Sequence, residues 1–94
     1  MENRFGVKIK TLREQNHLYL RQVAACLEID SALLSKIEKG IRNLKKERIP
    51  KLAEVLNADK EELLTLFLAD QLDEIIKDEP LDKKAINIII NTIK

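Results

Sequence analysis

The chain has few of the residues that anchor specialised chemistry. Its 94 residues include one cysteine, two glycines, two prolines, one tyrosine, two phenylalanines, one histidine and no tryptophan. The single cysteine, Cys26, excludes an internal disulfide and points to a reducing compartment. No histidine or second cysteine stands beside it to activate the thiol, so Cys26 is expected to be a small half-buried filler. The lone His17 excludes any Cys/His metal spacing and reads as a surface turn residue. With only Gly6 and Gly40, a glycine-rich phosphate loop is excluded. Scarce aromatics leave the core mostly to Leu, Ile, Val and Ala. No signal peptide and no apolar run of membrane-spanning length occurs, which predicts a cytoplasmic protein with no membrane partner. The carboxylates lie on polar helix faces, where pairing with lysine explains them. Nothing supports an enzyme, a cofactor, a metal or a small-molecule ligand.

What is present is apolar and charged in helical proportion: 45% hydrophobic and 35% charged residues. Low Gly and Pro with this balance is the composition of one small, all-α protein. The net charge of +1 hides an asymmetry. Residues 1–51 hold twelve Lys and Arg against six Asp and Glu, a net of +6, whereas residues 52–94 hold five against ten, a net of −5. A basic half suits a polyanion, and an acidic half suits solvent or a protein partner.

The most informative stretch is Leu20 to Gly40. Leu20, Val23, Ala24 and Leu27 follow the spacing of one helix face. Ile29 anchors a bend, and Asp30 or Ser31 can cap a second short helix whose inward residues are Leu34 and Ile37. Gly40 supplies the stop. Helices this short bury little alone, so the pair is expected to present the second one. Around it, the spacing predicts a helix from Asn3 to Asn16 (Phe5, Ile9 and Leu12 inward), helices over 20–27 and 31–39, and a basic loop over residues 41–46. A helix over about 48–57 follows, with Ile49, Leu52, Ala53 and Leu56 inward and Pro50 in its first turn. Asp59 and Glu62 form a capping-box pattern opening a long fifth helix over 60–77. Its Leu63, Leu66 and Phe67 close the core. A second stripe, Leu64, Leu68, Leu72, Ile75 and Ile76, outruns a core of this size and needs another surface to cover it. Asp78-Glu79-Pro80 breaks that helix. Asp82 can cap a last segment with Ile86, Ile89, Ile90 and Ile93, read as helix, although the run Ile88-Ile89-Ile90 also suits a strand.

From Phe5 to Phe67 the chain resembles the phage-repressor/Cro-like (XRE) helix-turn-helix family. The resemblance rests on Phe5-Gly6, Ile9, Leu12-Arg13, Leu18, Val23-Ala24, Leu27, Ile29, the block Leu34-Ser35-Lys36-Ile37-Glu38-Lys39-Gly40, Arg42-Asn43, Leu52-Ala53, Leu56 and Glu62-Leu63. It implies a compact five-helix bundle, here with an extended fifth helix and a short C-terminal helix, binding double-stranded DNA as a homodimer. It also implies that the second helix of the motif lies in the major groove. Base-reading positions are then Ser31, Ala32, Leu33, Ser35 and Lys36. Lys36 can donate to guanine O6 or N7 and Ala32 can meet a thymine methyl. Leu33 either meets a thymine methyl or leans into the core. Phosphate contacts are expected from Tyr19, Arg21, Lys39, Arg42, Asn43 and Lys46. Where many members carry a phosphate-binding Gln, this chain has Leu20, so Tyr19 and Arg21 are the substitutes. Arg13 and Glu38 are expected to form an ion pair that orients the reading helix.

The leading expectation is therefore a sequence-specific transcription regulator on a palindromic operator. Residues 1–68 would form the DNA-binding domain and residues 69–94 an extension for dimerisation. The dimer surface would be Leu64, Leu68, Leu72, Ile75, Ile76, Ile86, Ile89, Ile90 and Ile93. Two settings fit: the controller of a restriction–modification operon, or an antitoxin-type autorepressor binding a toxin through its C-terminal part. The competing classes are a protein-interaction module without a DNA role and a non-specific nucleoid binder.

Overall fold

The computed structural model describes residues 3–77 and 82–93. Within them the chain forms α1 (Arg4–Gln15), α2 (Leu20–Cys26), α3 (Ser31–Glu38), a 3-10 turn (Lys46–Arg48), α4 (Ile49–Val55), α5 (Lys60–Ile76) and α6 (Asp82–Ile93). The first five helices share one core. Phe5, Ile9, Val23, Ala24, Leu27, Leu34, Ile37, Ile49, Leu52, Ala53, Leu56, Leu63 and Phe67 are all buried in it. Phe5 and Phe67 meet edge to face with centroids 5.4 Å apart, which joins the start of α1 to the middle of α5.

Four helices stop in the same way. Each of α1 to α4 ends on a residue in the left-handed region: His17 (φ 57°), Glu28 (φ 57°), Gly40 (φ 79°) and Asn57 (φ 55°). The next residue's N–H reaches back to the helix carbonyl five positions earlier, as in Leu18 to Arg13 (3.0 Å), Ile29 to Ala24 (3.0 Å), Ile41 to Lys36 (2.9 Å) and Ala58 to Ala53 (2.8 Å). Carbonyls otherwise left without a partner are thereby satisfied. Gly40 adopts this backbone without a Cβ penalty, whereas Glu28 carries one in the bend between α2 and α3.

Several expectations are corrected. Cys26 is exposed: Val23, Ala24 and Leu27 take the inward arc of α2, and Cys26 lies roughly 200° around the helix from Ala24. Leu44, placed within the basic loop, is 4% exposed and anchors that loop in the core. The fourth helix is shorter than expected at both ends: Arg48 belongs to the 3-10 turn, and Leu56 is already the C-cap before the left-handed Asn57; Pro50 sits in its first turn, where no partner for an N–H is lost. Asp59 accepts from the Glu61 N–H (3.0 Å), but Glu62 reaches Lys8 on α1 (3.0 Å) instead of completing a capping box. Leu64, at the head of the expected outer stripe, is half-buried and packs partly against the core. Bonds from α1 run along α5 as far as Asp70 and Asp73. The last segment, by contrast, is the helix expected of it. The break expected at Asp78-Glu79-Pro80 and the capping side chain of Asp82 lie outside the described residues.

Candidate nucleic-acid interface

The geometry of α3 begins with its inner side. Leu34 and Ile37 are buried, and Leu33 is half-buried against the same core, which is the inward of its two expected orientations. The turn-by-turn spacing leaves Ala32 and Lys36 exposed on the opposite arc, with Ser31 and Ser35 partly accessible beside them. The structure thus brings four of the five base-reading candidates onto one outward face. Asp30 occupies the N-cap position in extended conformation, but its side chain makes no cap bond.

At the far end, Glu38 is buried. Its carboxylate takes two bonds from Arg13, Nε to Oε2 at 2.8 Å and Nη2 to Oε1 at 3.2 Å. The side chains are 14% and 6% exposed. The third prong, Nη1, donates to the Leu18 carbonyl (3.0 Å), tying the turn before α2 to the same pair. The hydrogen bond to Glu38 raises the Arg13 pKa above its ordinary value, against the opposing pull of burial, so the guanidinium stays charged. Planar two-point geometry of this kind fixes orientation as well as distance.

The phosphate candidates are distributed around α3. Tyr19 is exposed at the N-cap of α2, and the Arg21 guanidinium stacks over its ring at 4.6 Å. This contact brings the two substitutes for the missing Gln together at the start of α2. The Tyr19 N–H itself donates to Gln22 Oε1 (2.7 Å). Lys39, Arg42, Asn43 and Lys46 are all exposed, on the end of α3 and the loop that follows. That loop is held by Leu44 beneath it, so its cations are presented from a fixed support. Arg48, also basic, is half-buried and donates to the Leu27 carbonyl at the end of α2, a structural use that charge alone does not reveal.

Residues without a sequence signal complete the support. The Asn3 side chain accepts from the Gly6 N–H (3.1 Å) and donates to the Glu38 carbonyl (2.9 Å), so one amide caps both the start of α1 and the end of α3. A Cβ on Gly6 would lie 2.5 Å from that carbonyl, so glycine permits the close approach of the two helices. Asp70 of α5 accepts from the N–H of Phe5 (2.9 Å) and of Arg4 (3.2 Å). The Arg4 guanidinium bridges Asp70 (3.0 Å) and Asp73 (3.2 Å).

The outer residues of α5 are Leu68 (41% exposed), Leu72 (54%) and Ile75 (73%), with Ile76 half-buried. On α6, Ile86, Ile88, Ile89, Ile90 and Ile93 are all exposed. Among the described residues no helix is long and apolar enough to cross a membrane, and no group of His, Cys, Asp and Glu is arranged to hold a metal ion.

A family model described as a helix-turn-helix domain matches residues 4–66, about two-thirds of the chain. Its span runs from the first residue of α1 into α5, the same bundle that supports α3. No curated protein and no solved structure matches the chain significantly. The bend between α2 and α3, the outward face of α3 and the matched span agree: the chain belongs to the helix-turn-helix domain family and is a DNA-binding regulator.

Proposed function

We propose that this regulator is sequence-specific and acts as a homodimer on a palindromic operator. α3 lies in the major groove. Lys36 donates to guanine O6 or N7, Ala32 lies against a thymine methyl, and Ser31 and Ser35 make weaker polar contacts. Leu33 braces the helix from below. Tyr19, Arg21, Lys39, Arg42, Asn43 and Lys46 bind phosphates on either side and hold the register without reading sequence. The observation that carries this reading is the two-sidedness of α3: Lys36 is exposed while Glu38, two residues on, is buried in a two-pronged pair with Arg13.

The dimer face is the outer stripe of α5, Leu68, Leu72, Ile75 and Ile76, continued by Ile86, Ile89, Ile90 and Ile93 of α6; residues 69–94 serve chiefly this purpose. Exposure supports it: Leu72, Ile75, Ile89 and Ile93 are each more than half exposed, and large apolar side chains left in water in this number call for a covering surface. Two reading helices would then stand about 34–36 Å apart, on successive major grooves.

Selection from a pool of random duplexes tests the proposal. The expected product is a symmetric site with two half-sites one helical turn apart; a pool without enrichment refutes sequence reading. Two settings fit such a regulator, control of a restriction–modification operon and autorepression by an antitoxin. The exposure of α6 along its whole described length favours keeping the second, in which a toxin covers that helix. Light scattering separates the occupants: a dimer of the chain alone supports self-association, and a monomer that dimerises only with an added protein supports the antitoxin reading.

A further inference from the structure

The reading helix is fastened at more than the Arg13–Glu38 pair. Glu38 is held twice by α1, through its carboxylate by Arg13 near the end of that helix and through its backbone carbonyl by Asn3 at the start. An eight-residue helix held by one side chain can still rock about it, whereas two attachments on the same residue, from opposite ends of α1, define a tilt. The first turn of α1 is in turn fixed to α5. Its free N–H groups at Arg4 and Phe5 are taken by Asp70, and the Arg4 side chain bridges Asp70 and Asp73.

We propose that Asn3 and Asp70 are positioning residues for DNA reading: a clasp running from α5 through the first turn of α1 to the last turn of α3 sets the aim of Ser35 and Lys36. The inference rests on α3 being the reading helix. Gly6 is part of the clasp, because any side chain there would drive α1 off the Glu38 carbonyl. Aim matters because a base contact displaced beyond about 3.5 Å is no longer a hydrogen bond. The segment of α5 that carries Asp70 and Asp73 also carries Leu68 and Leu72. The clasp therefore fixes α3 relative to the face assigned to the second copy, and with it the spacing of the two reading helices.

The discriminating variant is Asn3→Ser in the full chain. Serine caps a helix about as well as asparagine, but it is too short to bridge to the Glu38 carbonyl. The expected result is a thermal midpoint close to wild type, with affinity for the duplex enriched by wild type reduced about tenfold, the equivalent of about 1.4 kcal/mol. Affinity for a scrambled duplex and the salt slope should be unchanged, because both report phosphate contacts. Asp70→Ala should lose specific affinity and relax the preferred half-site spacing. Asp70→Asn, which keeps an acceptor for the Phe5 N–H, should recover part of the loss. Wild-type affinity of Asn3→Ser for the enriched duplex overturns the clasp, as does an equal loss on both duplexes. Should Asn3→Ser fail to fold, the same comparison on Asp70→Asn decides. A wild-type chain that enriches no duplex refutes reading by α3 itself; enrichment with an indifferent Asn3→Ser refutes the clasp alone.

Discussion

Arg13→Ala is the perturbation that most sharply tests how α3 is held. In the intact protein Arg13 satisfies both oxygens of a carboxylate that is 6% exposed, and it satisfies the Leu18 carbonyl as well. Truncating it leaves the buried Glu38 carboxylate without its partner, which costs about 3–5 kcal/mol when a buried pair is broken from one side. The 14% exposure of Arg13 puts the expected cost near the lower end, about 3 kcal/mol. A chain of this length is stable by only roughly 5–14 kcal/mol in total, so the loss should lower the thermal midpoint by about 12–24 °C. Glu38→Ala should cost a similar amount. A double variant with apolar residues at both positions should be no worse than either single one, because no uncompensated charge remains. Urea and thermal denaturation of the two single variants and the double close the cycle. Single losses below about 1 kcal/mol with no coupling would place the pair among exposed ones and refute the reasoning. Proton linkage adds a sign. The raised pKa of Arg13, caused first by its bond to Glu38, means its contribution is complete below the ordinary guanidinium value and is lost only as pH climbs past the raised one. Across the neutral range the Arg13 side should contribute no pH dependence to stability.

Three further outcomes are expected. Gly6→Ala should destabilise by about 1–3 kcal/mol, since its Cβ would meet backbone of α3 rather than a movable side chain; a wild-type midpoint would contradict the close approach. Glu28→Gly should be neutral or stabilise by up to about 1 kcal/mol by relieving the left-handed backbone in the bend, and Glu28→Val should destabilise; urea melts that order the pair the other way would refute the account of that turn. Leu72→Glu combined with Ile89→Glu should give a folded monomer by light scattering and circular dichroism, and an unchanged dimer would remove the α5–α6 stripe as the interface.

The core of the motif was legible because its signals are local. Val23, Ala24 and Leu27 keep one period, and a glycine stands where α3 must end. The other three stops were harder to read: His17 and Glu28 adopt the same left-handed turn as Gly40 without glycine's signature, and Asn57 shows it only weakly. Leu44 was hidden by its charged neighbours, since one apolar residue in a charged run has no period. Leu64 shares the i, i+4 spacing of Leu68 and Leu72, and only packing shows that it turns toward the core. The clasp was invisible for a different reason. Asn3 and Glu38 are 35 residues apart, and Phe5 and Asp70 are 65 apart. A side chain that caps a distant helix carries no spacing rule. The apolar run in α6 left strand and helix open, and the spacing of Ile86, Ile89, Ile90 and Ile93 favours the helix that forms.

The central claim is that the outward face of α3 reads bases, and competition titration of Lys36→Ala addresses it most directly. On the duplex enriched by the wild-type chain, the variant should bind about 10- to 100-fold more weakly, the equivalent of about 1–3 kcal/mol for one base-reading contact. On a scrambled duplex it should bind nearly as wild type does. An equal loss on the two duplexes would make Lys36 one more phosphate contact, and no loss on either would move the reading surface away from α3.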